Sequence, residues 1–427
     1  MSTKQIKSFK YPDPASTLSF NLKPKKEIAD SCYFVLDANI LILPYTAGAQ
    51  SLQEISKVYK NLAAQKRLFI PAQAAREFLD NRATKISDAH ELLSKKQNQN
   101  FQLIESHPLL EEIPEFKSFL DTEKELKLLL KKYRSQISET MEVIKSWGWD
   151  DPVSKIYHEI LATSVLDDSD LDMTEIEKDL KIRNQFKIPP GYKDSAKDEN
   201  QIGDLLIWQE TLNLAKANSK DVIFVSGDEK NDWWHQSGGR KLYPRFELVD
   251  EFRRITNGKS FHIVSLSELL QMFHAKTEVI DEIKTSETLA KTIDKTKKYN
   301  DTIKNAKTLI RDLRERLRQY RDRRDWLSHK RFDEIHTGDE TTKNSNWNKY
   351  NLLDAEASRD LLEYYEGIKI DIIMHRDFIS SVFPEIASWD KSFLYNSPTN
   401  PIGVGTVVDD FERIVKEFSA RIAAQDI

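Results

Sequence analysis

Residues 33–43, Tyr-Phe-Val-Leu-Asp-Ala-Asn-Ile-Leu-Ile-Leu, constrain the fold more than any other stretch. Aromatic and branched side chains run unbroken into Asp37, and a second apolar run follows. A run without polar alternation offers no face to water. It therefore reads as a strand covered on both sides, as in the middle of a parallel sheet. Open sheets of that kind gather ligands just past the carboxyl ends of their strands, which is where Asp37 falls. A carboxylate there is costly unless a cation or strong donors receive it. Asp and Asn are also good helix N-caps, so this stretch alone leaves cap and catalyst equally open.

With 427 residues the chain can hold two or three domains and a large core. Its net charge of -5, with 31% charged residues, excludes a polybasic nucleic-acid binder held by bulk charge and leaves room for a local basic groove. The single cysteine, Cys32, rules out an internal disulfide and suits a reducing compartment. No signal-peptide h-region opens the chain, and no apolar run approaches the roughly 18 residues of a membrane span. The expectation is a cytoplasmic protein without membrane contact.

In order, residues 1–30 read as an arm laid on the surface. A strand is expected over 33–38 and a helix over 52–65, with Leu52, Ile55, Val58, Tyr59 and Leu62 on one face. Arg67–Pro71 reads as a second strand, followed by a helix from Ala72 that carries Glu77. Residues 87–183 read as a charged helical insertion, and the acidic turn 166–172 lacks the spacing of a calcium loop. A helix from Gly203 to about Ala217, strand 221–226, helix 244–254, strand 261–264 and helix 266–273 complete the pattern. Strands alternating with helices make a parallel three-layer α/β sheet. Its core is assigned to 31–86 and 184–275. Residues 276–427 form a C-terminal helical region, with a long charged helix to about 330 and a loop at 337–349. The arginines at 311–318 alternate with acids and read as a salt-bridged, solvated face.

Four acids stand out by position. Asp37 ends the first strand, and Glu77 lies about a turn into the helix after the second. Asp204 opens a helix, and Asp228 ends the strand that follows it. In a doubly wound sheet all four can face one carboxyl-end crevice. Each alone is an ordinary helix-start acid. Together they repel one another unless divalent cations neutralise them, and an all-oxygen set suits Mg²⁺ or Mn²⁺. Metals so held activate water and stabilise charge developing on a phosphodiester.

The order Leu36-Asp37-Ala38-Asn39, Ile70-Pro71-Ala72 with Glu77, Gly203-Asp204 and Ser226-Gly227-Asp228 resembles the PIN-domain nucleases, relatives of the flap endonuclease fold. It is most similar to a bacterial PIN-like subgroup with three further motifs. Here those read Pro189-Pro190-Gly191-Tyr192, Gly203-Asp204-Leu205-Leu206-Ile207-Trp208 and Asp228-Glu229-Lys230-Asn231-Asp232-Trp233-Trp234. The resemblance covers about 31–86 and 184–275. It implies a metal-dependent endonuclease in which Asp37, Glu77, Asp204 and Asp228 ligate Mg²⁺ or Mn²⁺. Asn39 and Ser226 would hold carboxylates in place, with Asp232 in support. Ser226 replaces a more usual threonine, and Gly227 stands where the subgroup often has a second aspartate. The resemblance also implies single-stranded or structured RNA as substrate, with DNA as the alternative, and a role in bacterial toxicity or phage defence. Lys193, Lys197 and Lys230 lie near the acidic motifs and are candidates for substrate phosphates.

Two rivals stand beside this reading. Gly227-Asp228-x-x-x-Asp232 looks like the last acidic motif of haloacid-dehalogenase-type phosphatases, but the nucleophilic motif of that family needs an aspartate where Asn39 stands. A catalytically silent module that binds RNA or protein is the other. Arg324 and His329 fit the Arg-x-x-x-x-His pattern of helical ribonucleases, a pattern that arises easily by chance. Trp233 and Trp234 read as packing residues before base-stacking platforms.

Overall fold

A computed structural model describes residues 8–104, 107–192, 202–237, 240–335, 339–383, 385–386, 398 and 400–424. The chain divides into two compact units, residues 1–288 and 289–427.

The first unit is built on a four-stranded, wholly parallel sheet: β1 (Tyr33–Leu36), β2 (Leu68–Phe69), β3 (Val222–Val225) and β6 (Phe261–Val264), in the order β2-β1-β3-β6. Phe34–Leu36 and Val222–Val225 are buried throughout, as an uninterrupted apolar sequence requires of central parallel strands. The sheet expected from the sequence is present, and the chain is a mixed α/β protein. From β1 the chain moves to β2 on one side, and β3 lies on the other. The crevice between β1 and β3 is therefore the switch point at which such sheets bind ligands.

The strands are shorter than the apolar runs suggested. The first stops at Leu36 because Asp37 caps the helix Ala38–Ile42, its carboxylate accepting from the Ala38 N–H at 2.7 Å. Two further antiparallel strands, β4 (Trp234–Ser237) and β5 (Arg240–Pro244), occupy a stretch with no clear strand signal. The helix expected from Pro244 consequently begins at Phe246.

The expected boundaries of the insertion also shift. The helix Ala72–Gln97 leaves the core and pairs with Pro114–Ser146, but the chain returns to the core well before residue 183. Ile70 forms a parallel bridge with Val165, its N–H donating to the Ser164 carbonyl (2.8 Å) and its carbonyl accepting from Leu166 (2.8 Å). Residues 87–183 are thus not a wholly separate layer, since a single sheet-like pairing lies within them. Helix Pro152–Ile160 packs on Ala49–Ala64, and Tyr157 donates its hydroxyl proton to the Leu41 carbonyl at 2.9 Å. A buried ion pair fixes this return: Arg82 Nε donates to Asp151 (2.9 Å) and to Ser154 (2.8 Å), and Tyr45 donates to the same carboxylate (2.9 Å). Burial alone would raise the Asp151 carboxyl. The donors Ser154, Arg82 and Tyr45 outweigh it and leave the group below the usual carboxylate range.

The acidic turn is accounted for by local structure. Asp168 forms a two-bond pair with Arg76 (2.6 and 3.0 Å), and Asp172 caps the helix Met173–Phe186. Of the N-terminal arm, residues 1–7 lie outside the described residues; further on, the Lys23 carbonyl meets His262 of the edge strand β6 (2.7 Å) and Thr17 donates to Asp250 (2.7 Å).

The boundary expected at 275/276 falls just before the helix Thr277–Ile335, whereas the two compact units divide within that helix, at 288/289. Its first turns belong to the sheet domain because Val279, Ile280 and Ile283 are buried there. Glu282 accepts from Gly48 and Ser51, and Glu287 from Ser267. The second unit has its own apolar core. Leu313 and Leu317 meet Tyr365 and Ile372 of the helix Glu340–Val382, and Phe411 and Phe418 of the helix Pro401–Ala424. Of the loop expected at 337–349, residues 337 and 338 lie outside the described residues and 340–349 are helical, Asp339 capping the helix by accepting from Thr342 N (2.9 Å) and Oγ1 (2.6 Å). Among the described residues, no helix is long and apolar enough to cross a membrane.

Replacing Asp151 by Ala strands the buried Arg82 guanidinium without a counter-charge. The expected loss is about 3–5 kcal/mol, measured by urea unfolding. A loss below about 1 kcal/mol contradicts the role assigned to this pair.

Candidate active site

The register Leu36↔Val225 places the next residues, Asp37 and Ser226, side by side at the carboxyl ends of β1 and β3. The Asp37 N–H donates to the Val225 carbonyl (3.0 Å). Asp37 Oδ2 then accepts from Ser226 Oγ (2.6 Å) and Asn39 Nδ2 (2.5 Å). Ser226 Oγ in turn accepts from Asn39 Nδ2 (3.2 Å) and the Asp228 N–H (3.0 Å). A hydroxyl has one proton and two lone pairs, so the two acceptances leave its proton aimed at Asp37. These bonds tie both Asn39 and Ser226 to the Asp37 carboxylate.

Gly227 has a specific reason to be glycine. Its N–H donates to Asn39 Oδ1 at 2.8 Å, and a Cβ there would lie 3.3 Å from that oxygen. A second aspartate at this position would press on the amide that orients Asp37.

Asp204 lies in the first turn of the helix Gly203–Asn218, which begins at Ile202 without a side-chain cap. Its carboxylate faces the site: Lys230 Nζ stands 3.4 Å from Asp204 Oδ2 and 2.8 Å from Asp228 Oδ2. One ammonium therefore bridges two of the four expected acids. Lys230, a candidate for substrate phosphates by its sequence position, thus also stands among the acids. The short turn is set by Asp228 Oδ1, which accepts from the Lys230 N–H (2.8 Å). Lys193 and Lys197 lie outside the described residues.

Asp232 is fully buried. Its Oδ2 accepts from the Gly191 N–H (3.2 Å), while Oδ1 has no hydrogen-bond partner among the described residues. This bond docks the Pro-Pro-Gly-Tyr loop. Arg183 holds the same loop from its other end, donating to the Pro189 carbonyl (2.5 Å) and to Glu251. Trp208 Nε1 also donates to Glu251 (2.8 Å). Trp233 stacks on Phe224 with ring centroids 5.1 Å apart, and Trp234 donates to the Asp228 carbonyl (2.8 Å). Both tryptophans are buried packing residues.

Glu77 stands apart from this bonded group. It lies half-buried on the helix Ala72–Gln97, where Gln73 Nε2 donates to it at 2.9 Å. That helix packs against the helices following Asp37 and carrying Asp204. Its start is fixed by a residue with no obvious sequence signal, Glu210. The Glu210 carboxylate accepts from the Ala72 (2.5 Å) and Gln73 (3.2 Å) N–H groups. Burial pushes Glu210 up to about 7, against the lowering by those two bonds. Glu210 is recognisable only once the fold brings its helix against the start of the other.

Electrostatics set these carboxyls apart. Burial raises Asp37 to about 6, with the Asp228 charge adding to it and Ser226 and Lys230 opposing it. Asp204 is raised to about 7 by burial and by Asp228, Asp232 and Asp37, against Lys230. Burial also raises Asp232. Among the described residues no three His, Cys, Asp or Glu side chains form a ready metal-ligand group. The donor chemistry nevertheless fits a hard divalent ion: every donor is a carboxylate oxygen, and the buried Oδ1 of Asp232 lacks a partner. Arg324 and His329 are exposed on the long helix, with His329 Nδ1 bonded to the Asp325 carbonyl (2.7 Å); they form no comparable site.

Because the folded-state pKa of Asp204 lies above the unfolded value of about 3.9, its contribution to stability is full below pH 4 and declines as pH rises towards 7. Asp204→Asn should therefore melt with wild type near pH 4 and above it at pH 7.5, in chelator. Equal melting at pH 7.5 contradicts the strained carboxylate described here.

Residues 33–248 match a family model described as PIN like domain. The span takes in the helical insertion, which the sequence motifs had left outside the resemblance, and ends before β6. No curated protein and no solved structure matches the chain.

Proposed function

The chain belongs to the PIN-like domain family, whose members point in general to nuclease-type activity, and from that footing we propose that it is a metal-dependent endonuclease acting on RNA. The observation that carries the reading is the Asp37–Ser226–Asn39 arrangement at the sheet switch point, beside Asp204 and Asp228. A bound divalent ion would supply a Lewis acid and a water of lowered pKa. Asp37, Asp204 and Asp228, with Glu77 from the neighbouring helix, are the residues that would hold it.

The chain's own groups have distinct tasks in this reading. Ser226 and Asn39 hold Asp37 in one rotamer, and their donation favours its ionised form. Asn39 is committed to Asp37, Ser226 and Gly227, which speaks against a phosphatase motif needing a second aspartate there. Lys230 pairs with Asp204 and Asp228, and would compete with a divalent ion for these carboxylates. From this position beside the acids its ammonium would also be near enough to meet a substrate phosphate. The preference for RNA over DNA rests on the family resemblance.

With labelled single-stranded RNA and DNA, cleavage of RNA should require Mn²⁺ or Mg²⁺ and stop on chelation. Asp37→Asn should abolish it, and Ser226→Ala should lower it about 10–100-fold, as lost support of a metal ligand does. Cleavage by Asp37→Asn, or in chelator, overturns the proposal.

Lys230 gives a second test without substrate. Lys230→Met removes the competing ammonium, so Mn²⁺ affinity should tighten several-fold while the metal-free protein melts lower. Unchanged Mn²⁺ affinity by calorimetry contradicts the counter-ion role.

A further inference from the structure

In the second unit, a groove of about 570 Å³ runs between the helices Thr277–Ile335 and Pro401–Ala424. Lys307, Arg311, Arg314 and Arg318 line it from the first helix and Lys416 from the second, against only two lining acids, Glu315 and Glu412. The intervals of four, three and four residues put the four cations of the first helix on one face. They extend about 16 Å along the axis at 1.5 Å per residue. Ile310 and Val415 supply an apolar floor.

The ion pairs within this row are of two kinds. Arg314 joins the two helices, bonding Asp409 and Glu412 at 2.6 Å each. Arg311 pairs with Asp312 on its own helix (3.3 Å) and Arg318 with Glu315 (2.8 Å), and these side chains are 75% and 65% exposed. Exposed pairs of that type contribute about 0–1 kcal/mol. A phosphate can therefore replace the carboxylate at little cost, and a guanidinium suits it by offering two parallel N–H bonds. Among the lining residues five cations face two acids, and Asp312, Asp322 and Asp409 pair with the same arginines from outside the lining. The exposed pairs are exchangeable, so the row, over its apolar floor, suits a charged backbone carrying flat bases.

We propose that this groove docks single-stranded RNA through its phosphates, independently of the carboxylate site. The choice of RNA rests on the nuclease reading above; the anionic partner rests on the groove itself.

The test uses the full chain with Asp37→Asn, in chelator, binding a labelled mixed-sequence RNA of about 20 nucleotides, longer than the roughly 4–16 covered by one single-strand binding fold. Relative to this parent, K307Q/R311Q/R318Q should lose about tenfold or more in affinity. The plot of log affinity against log salt should become shallower by about 2, since each single-strand phosphate contributes about 0.7. Arg314 is left in place because it ties the helices together. K307R/R311K/R318K, which keeps the charges, should retain the slope and lose much less affinity than the neutral triple, since only the paired N–H geometry of two guanidiniums is given up. Parental binding by the neutral triple overturns the proposal, as does equal loss in the charge-keeping triple. Tighter binding of a DNA strand than of RNA overturns the assignment to RNA. If wild type cleaves RNA with Mn²⁺ but the neutral triple binds normally, the groove alone fails. If the neutral triple loses binding while wild type cleaves nothing with any divalent ion, the docking site stands and the nuclease reading fails.

Discussion

The pairing of β1 with β3 is the constraint on which the rest depends. Because Leu36 pairs with Val225, Asp37 and Ser226 leave the sheet together. A hydroxyl then falls within 2.6 Å of a carboxylate 189 positions away in the chain. A slip of one residue would turn every side chain of the strand to the other face and separate the two. The apolar side chains that bury both strands thus also determine where the acid stands. Asp37 serves two purposes at once: it caps a helix, and it is held as the best-oriented carboxylate of the site.

The site is held under electrostatic tension. Asp37 and Asp204 are raised to about 6 and 7, chiefly by burial. Lys230 offsets part of that cost across Asp204 and Asp228. Bonds around the site tie its neighbouring segments together: Gly191 to Asp232, Arg183 and Trp208 to Glu251, and Trp234 to the Asp228 carbonyl.

Much of the fold was legible in the sequence because central parallel strands must be apolar on both faces, and Tyr33–Leu36 and Val222–Val225 are. The acids at the ends of those strands were legible for the same reason. Lys230 as a counter-ion was not, since its reach to Asp204 depends on a turn that only the fold brings against another helix. Glu210 was hidden likewise: an acid within an otherwise buried helix becomes a cap only when Ala72 and Gln73 arrive beside it. The antiparallel strands at 234–244 carry too much exposed, charged sequence to announce themselves. The early return of the insertion rests on Arg82 and Asp151, two charged residues that pattern reasoning places at the surface and the structure buries.

The central claim is that Asp37, Asp204 and Asp228 form a divalent-cation site. It is tested most directly by anomalous diffraction from crystals of the full chain soaked in Mn²⁺. The account predicts a manganese peak bonded to oxygens of these carboxylates, at about the 2.0–2.6 Å of hard-cation ligands, with the Lys230 ammonium withdrawn from Asp204 and Asp228. An empty site at saturating Mn²⁺, with Lys230 still bridging the two aspartates, would contradict it.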